Sequence, residues 1–297
     1  MSAMATVNDH KIRLAYDRYI RYLFISSAVL MTIIVFAIII FVGQQGLMTF
    51  KEVSIADFFL STKWDPSEGQ YGALSFIFGT VATTVLAILI GAPLGLAGAI
   101  FMAKVAPPRL RDVMRPATDL YVAIPSVVYG FIGLTIFVPF IRTHFHVSTG
   151  FGLLASAIIL AIMILPTIIS VSEDAIRAVP KTLEEGSLAL GATPWQTITG
   201  VILPAAMPGI LTSIILAMAR AVGETMAVQM VIGNTPQISW SLFMPTSTLT
   251  SEIVVEMGNT PFGSAWGNSL FLMALVLLLL SMAMIIVIRQ IAQRRLA

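Results

Sequence analysis

The sequence predicts an all-α fold, a polytopic transmembrane helical bundle of six spans. Three observations predict it. The 297 residues are 57% hydrophobic and 11% charged, against about a quarter charged in an ordinary soluble domain. The apolar residues gather into six stretches, each at or above the about 20 residues that a helix needs to cross the hydrocarbon. Basic residues crowd alternate ends of those stretches, as they do where loops alternate between the two faces of a bilayer.

The first span, 22–43, follows a basic segment as a signal peptide would, but Leu23 to Val42 is of spanning length and no small-residue cleavage site follows it. It reads as a retained signal anchor. Between it and the second span lie about 30 mostly polar residues, including Trp64, Asp65 and Pro66, longer than an ordinary connector and suited to partner contact. The second span, 73–103, carries Gly91, Gly95 and Gly98 at the small-xxx-small spacing that lets helices approach closely.

The third span is expected at 118–140, with Asp119 at its mouth placed to cap the helix or meet a basic neighbour. The fourth follows at 151–172. His144 and His146 between them lack further ligands and read as solvated rather than metal-binding. The fifth span, 203–233, and the sixth, 268–289, are separated by a loop in which Ser251 to Met257 form a short amphipathic helix candidate. This helix would meet a soluble partner or cover the bundle. Pro93, Pro125, Pro139, Pro166, Pro204 and Pro208 lie in or beside spans, and each removes a backbone donor that neighbouring helices or a polar cavity must offset.

Lys11, Arg13, Arg18 and Arg21 precede the first span; Lys104, Arg109, Arg111 and Arg115 join the second to the third. Arg177 and Lys181 lie between the fourth and fifth, and Arg289, Arg294 and Arg295 close the chain, whereas the opposite loops hold Lys51, Lys63 and Arg142. By the positive-inside rule both termini and the segments 104–117 and 173–202 are expected in the cytoplasm. The net charge of +2 and pI near 9.0 therefore reflect anionic membrane lipid as a partner, not nucleic acid.

Two segments carry chemistry. The first is Leu183 to Gln196, far more polar than the runs around it. Thr182 and Glu185 have the spacing of a capping box, so a helix is expected from about Leu183. Gly191 is placed to end it in the left-handed conformation after about eight residues, or about 12 Å. Thr193 followed by Pro194 offers a second cap, giving helix, elbow, helix. So short a helix is marginal alone. Glu184 and Glu185 oppose an anionic lipid surface, which leaves a partner protein's groove as the sharper reading.

The second is Arg220 and Glu224 inside the fifth span, expected on one helix face at i and i+4. Each costs about 2.5 to 3.5 kcal/mol at a helix centre, so both should turn inward. A self-satisfied ion pair that joins helices is the structural reading. The functional one is an anion checkpoint in which Arg220 offers forked donors to an oxyanion and Glu224 blunts its grip.

Cysteine is absent, which removes thiol chemistry; there is no His-Glu-x-x-His helix, no paired catalytic carboxylates and no Gly-x-x-x-x-Gly-Lys-Ser/Thr loop. These absences argue against a membrane enzyme and leave the chain no phosphate-cradling loop of its own. A proton-driven carrier using Glu224 is the reading from a different class.

The run Glu185-Gly186-Ser187, then Gly191, then Val201-Ile202-Leu203-Pro204 resembles the coupling loop of permease subunits of bacterial ATP-binding-cassette importers. Its spacing matches, while Gly186, Ser187 and Val201 replace two alanines and an isoleucine of the family pattern. Together with Tyr121 to Gly130 and Arg220-Ala-Val-Gly-Glu224-Thr225, the chain from about residue 70 resembles the PstC type of phosphate-specific importer permease. The resemblance implies a type I importer permease fold over 73–290, flanked by a cytoplasmic segment at 1–21, the first span and exterior loop at 22–72, and a cytoplasmic tail at 291–297. It implies that Glu184, Glu185, Gly186, Ser187, Leu190, Gly191, Thr193 and Pro194 couple to a separate ATPase that uses ATP and magnesium. It further implies Arg220 and Glu224 in the substrate pathway of a phosphate importer in the bacterial inner membrane, with a second homologous permease, an ATPase dimer and an extracytoplasmic phosphate-binding protein as partners. Sulfate, molybdate or phosphonate remain alternative cargoes, because one arginine does not choose between oxyanions.

Overall fold

A computed structural model describes the backbone of residues 2–294 and the side chains of 18–290. The charges at Lys11, Arg13, Arg294 and Arg295 and the tail from 291 lie outside the described side chains. Among the described residues six helical segments are long and apolar enough to span a membrane: Arg18–Lys51, Leu74–Val105, Ser126–His144, Leu153–Arg177, Pro194–Val222 and Ala265–Gln290. The all-α bundle is therefore the observed class. A hairpin of two-residue strands, β1 (Trp64–Asp65) and β2 (Gln70–Tyr71), is the small β addition.

Helix α1 (Ser2–Leu47) runs past the expected span at both ends and packs against the last helix, α13 (Ala265–Arg294). Phe41 meets Phe271 edge-on at 5.7 Å. After the short helix α2 (Ile55–Leu60) and the hairpin, α3 (Leu74–Ile100) packs along α7 (Leu153–Arg177). The glycine stripe makes that contact. A Cβ on Gly95 would lie 2.7 Å from Ile168 Cγ2, and one on Gly91 3.0 Å from Ile164 Cδ1, so the missing side chains set the interhelix distance.

The third span begins later than 118. Residues 108–122 form a separate amphipathic helix, α4 (Pro108–Val122), with no buried residue, and the chain breaks at 123–125 because Pro125 disfavours helix at the residue before it. The Tyr129 hydroxyl crosses the break, donating to the Tyr121 carbonyl at 2.8 Å. The span itself is α5 (Ser126–Ile132), a π turn (Gly133–Phe137) and α6 (Val138–His144). Asp119 lies in the C-terminal half of α4, so it caps no helix N-terminus. Its position in the sequence suggested the mouth of a span only because α4 was not separated from that span.

Three π turns, at 101–105, 133–137 and 198–202, each end two residues before a proline, Pro107, Pro139 and Pro204. Where the proline removes a donor and crowds the preceding turn, the wider ladder spreads the mismatch over five residues.

The fifth span also departs from expectation. It starts at α9 (Pro194–Thr197), continues through the π turn into α10 (Leu203–Val222), breaks at 223–225 and resumes as α11 (Met226–Ile232). Between it and α13 lies α12 (Leu249–Met257), which buries Leu249, Thr250, Ser251 and Glu252 and so covers the bundle. Its Glu256 accepts the indole N–H of Trp64 at 3.0 Å and of Trp266 at 2.6 Å, tying the hairpin and the start of α13 to one carboxylate.

Candidate functional site

The break between α10 and α11 places the charged pair. Arg220 is in the last turn of α10, and Glu224 follows the helix end at Gly223. The i, i+4 face expected of them does not form, because the helix stops between them. No ion pair joins them among the described residues, whose bridges are Lys104–Glu184, Arg115–Glu173, Arg115–Asp174 and Arg177–Glu173. The Glu224 Oε1 atom instead accepts the Ala227 amide at 3.3 Å, one of the donors left open at the start of α11. The Glu224 carbonyl accepts the Thr250 hydroxyl of α12 at 3.1 Å.

Glu224 lines a small cavity with Thr80, Thr83 and Thr84 of α3 and Thr248 and Thr250 beside it. The three threonines of α3 lie at i, i+3 and i+4, one helix face. Thr80 donates to the Phe76 carbonyl at 2.8 Å and accepts the Leu249 amide at 3.0 Å; Thr84 donates to the Thr80 carbonyl at 2.7 Å. The Thr83 hydroxyl is buried with no partner. Sequence reading missed this face, although three hydroxyls at helical spacing in an apolar span were a legible signal.

The second candidate site is the elbow formed by α8 (Lys181–Ala189) and α9. Thr182 is not its cap: the helix starts one residue before it, after Pro180, without a side-chain cap, because proline already fits the entry to the first turn. The far end is as expected. Gly191 has φ 86°, its amide donates to Leu188 at 2.9 Å, and the Ala192 amide donates to Ser187 at 3.2 Å, a Schellman closure. Thr193 and Gln196 then form a full capping box, with Pro194 in the first turn.

Lys104 Nζ holds Glu184 Oε2 of the elbow at 2.6 Å, and the Ser187 and Thr197 hydroxyls, 3.0 Å apart, tie α8 to α9. Glu185 points to the open side, a Cβ added at Gly186 would meet nothing within 4 Å, and Leu190 and Trp195 are 92% and 62% exposed. An apolar knob so bare, held rigidly from behind, has the form of a docking surface.

Beside it Glu173 on α7 is 1% exposed between Arg177 at 3.1 Å and Arg115 at 3.9 Å, while Arg115 reaches Asp174 at 2.7 Å. This cluster fastens α4 to α7. On α12, burial first and the neighbouring Glu256 second push the Glu252 carboxyl up to about 8, opposed by the Ser247 hydroxyl. Neither feature was read from the sequence; Glu173 and Arg177 at i and i+4 were the available sign. His144 stacks on Phe140 at 4.0 Å, and no group of three metal-ligating side chains occurs among the described residues.

Residues 95–297 match the family model for the binding-protein-dependent transport system inner membrane component. The chain belongs to that family. It is therefore a multi-pass membrane protein and a non-catalytic permease subunit of an ABC importer, a class that works with a partner permease, an ATPase and a substrate-binding protein. Among relatives of this permease, the "Probable ABC transporter permease protein YqgH" of Bacillus subtilis (strain 168) is 50% identical over 93% of this chain and 90% of its own. The "Phosphate transport system permease protein PstC" of Mesorhizobium japonicum is 38% identical over 87% of this chain and 84% of its own. The permease fold also resembles a bacterial ABC transporter for import of the acidic polysaccharide alginate, with a TM-score of 0.64 at 17% identity, covering 95% of this chain and 99% of that one.

Proposed function

We propose that this permease forms the translocation pathway of an ATP-driven inorganic phosphate importer, with Arg220 as its oxyanion contact. One observation carries the reading: Arg220 lies in the last turn of α10, beside a break in the fifth span, with no carboxylate paired to it among the described residues. Its permanent charge and forked donors are thereby left for a tetrahedral anion. Glu224, close by in sequence but not bonded to it, adds the negative potential that keeps the grip weak enough for release. The relatives named as phosphate transport permeases support phosphate over sulfate, molybdate or phosphonate.

On the same reading the α8–α9 elbow docks in a groove of a separate ATPase, which uses ATP and magnesium, through Glu185, Gly186, Leu190 and Gly191. Glu184, Ser187, Thr193 and Pro194 stiffen it from behind. That side, with 104–117 and both termini, faces the bacterial cytoplasm. A second homologous permease completes the pathway, and an extracytoplasmic phosphate-binding protein delivers the anion.

The deciding experiment is uptake by the assembled complex carrying Arg220→Gln. Loss of one charge-assisted contact should lower phosphate uptake at least about tenfold, while the complex still assembles. Wild-type uptake by an assembled variant overturns the assignment. Competition by sulfate, molybdate and phosphonate decides the cargo, and uptake sustained by a proton gradient without ATP would mark a secondary carrier.

A further inference from the structure

The Thr83 hydroxyl is 2% exposed and has no hydrogen-bond partner. A buried hydroxyl left unsatisfied costs about 1 to 3 kcal/mol, so such a group calls for a missing partner. It lines the cavity that Glu224 also lines, and the space there is about 10 Å³, the size at which one water is accommodated. It is far too small for a tetrahedral oxyanion. The Glu224 carboxylate has its Oε1 atom on the Ala227 amide and no partner for Oε2 among the described residues. The Thr84 hydroxyl spends its proton on the Thr80 carbonyl and keeps its lone pairs.

We propose that one buried water occupies this cavity, accepting from Thr83 and donating to Glu224, and that it holds the Glu224 carboxylate toward α3 and away from Arg220. Thr83 is then a positioning residue. A water with a donor on one side and a carboxylate and a hydroxyl lone pair on the other makes the three bonds typical of buried waters. Its effect follows from charge. While Glu224 is turned to the threonine face, the Arg220 guanidinium keeps its field for an anion; without the water, Glu224 is free to swing to Arg220 and neutralise it. The inference rests on the reading of Arg220 as the anion contact for its transport consequence, but the water itself does not.

The test joins a structure of the assembled complex, at a resolution that orders water, to a mutant cycle. The expected structure has one water within hydrogen-bond distance of Thr83 Oγ1 and a Glu224 carboxylate oxygen. Thr83→Val should raise KM for inorganic phosphate about tenfold, the cost of one bond to a charged group, with kcat little changed; Thr83→Ser should restore the wild-type KM. In a Glu224→Gln background, where no carboxylate can neutralise Arg220, Thr83→Val should leave KM unmoved. A dry cavity, an equal Thr83→Val effect in both backgrounds, or a melting temperature that responds to sodium but not potassium, which would mark a bound cation, overturns the proposal. If the cargo is another anion, the phosphate reading fails while the water and the non-additive cycle, repeated with that anion, stand.

Discussion

Glu252 is 5% exposed on α12, and its carboxyl is pushed from an ordinary 4.5 up to about 8, by burial first and by Glu256 second. No Lys, Arg or His pairs with either carboxylate among the described residues; their partners are the Ser247 hydroxyl and the indoles of Trp64 and Trp266. Glu252 therefore keeps its proton at neutral pH. A carboxyl whose folded value is raised stabilises fully below pH 4.5, where both states hold the proton, and loses that contribution as pH climbs to about 8. Glu252→Gln should flatten this decline, lifting the melting temperature of the detergent-solubilised protein at pH 8 by on the order of 5 °C relative to wild type. An unchanged slope between pH 5 and 8 would overturn the raised Glu252 carboxyl. Glu252 was legible in the sequence as part of an amphipathic helix, but its burial was not, because only the fold decides which residues roof it.

The elements show which local signals survive tertiary contact. The Gly191 turn and the Thr193 cap formed as predicted, since each is closed by bonds within six residues. The Thr182 box did not, because Pro180 starts the helix earlier. Gly191→Val places a β-branched side chain at φ 86°, which costs at least about 1 to 2 kcal/mol. Nothing lies within 4 Å of that position, so the bundle should be untouched. The expected result is faster amide exchange over 183–197 and weaker ATPase copurification, with the spans as protected as in wild type. Slow exchange at the elbow would show that the turn is not what ends α8. The breaks at 123–125 and 223–225 were the elements least legible. Pro125 marks the first, whereas Gly223 alone is a weak sign against an otherwise continuous apolar run.

At the scale of the molecule, the chain buries its middle and leaves its flanks bare. More than half of the most apolar stretch of Leu153–Arg177 is buried, while none of the most apolar stretch of Arg18–Lys51 is. The fourth span is thus the central post against which α3, α4 and α10 pack, and α1 is a peripheral helix with its surface open to lipid or a second permease. Bare flanks and a bare elbow describe one part of a larger assembly. Vesicles reconstituted with this chain alone should accumulate no phosphate above the passive background, whatever ATP they contain; accumulation by the single chain would end the importer reading.

The amino-acid sequence by itself determined that this is a six-span helical bundle with a capped polar elbow, because hydropathy, glycine spacing and turn chemistry act over a few residues and need no knowledge of neighbours. It also named Arg220 and Glu224 as the charges to watch. Tertiary structure alone decided that they do not pair, that three threonines from a distant helix face Glu224, and that one of them lacks a partner. Those facts depend on where α10 breaks and on how closely α3 approaches it, and both are set by packing between segments more than a hundred residues apart.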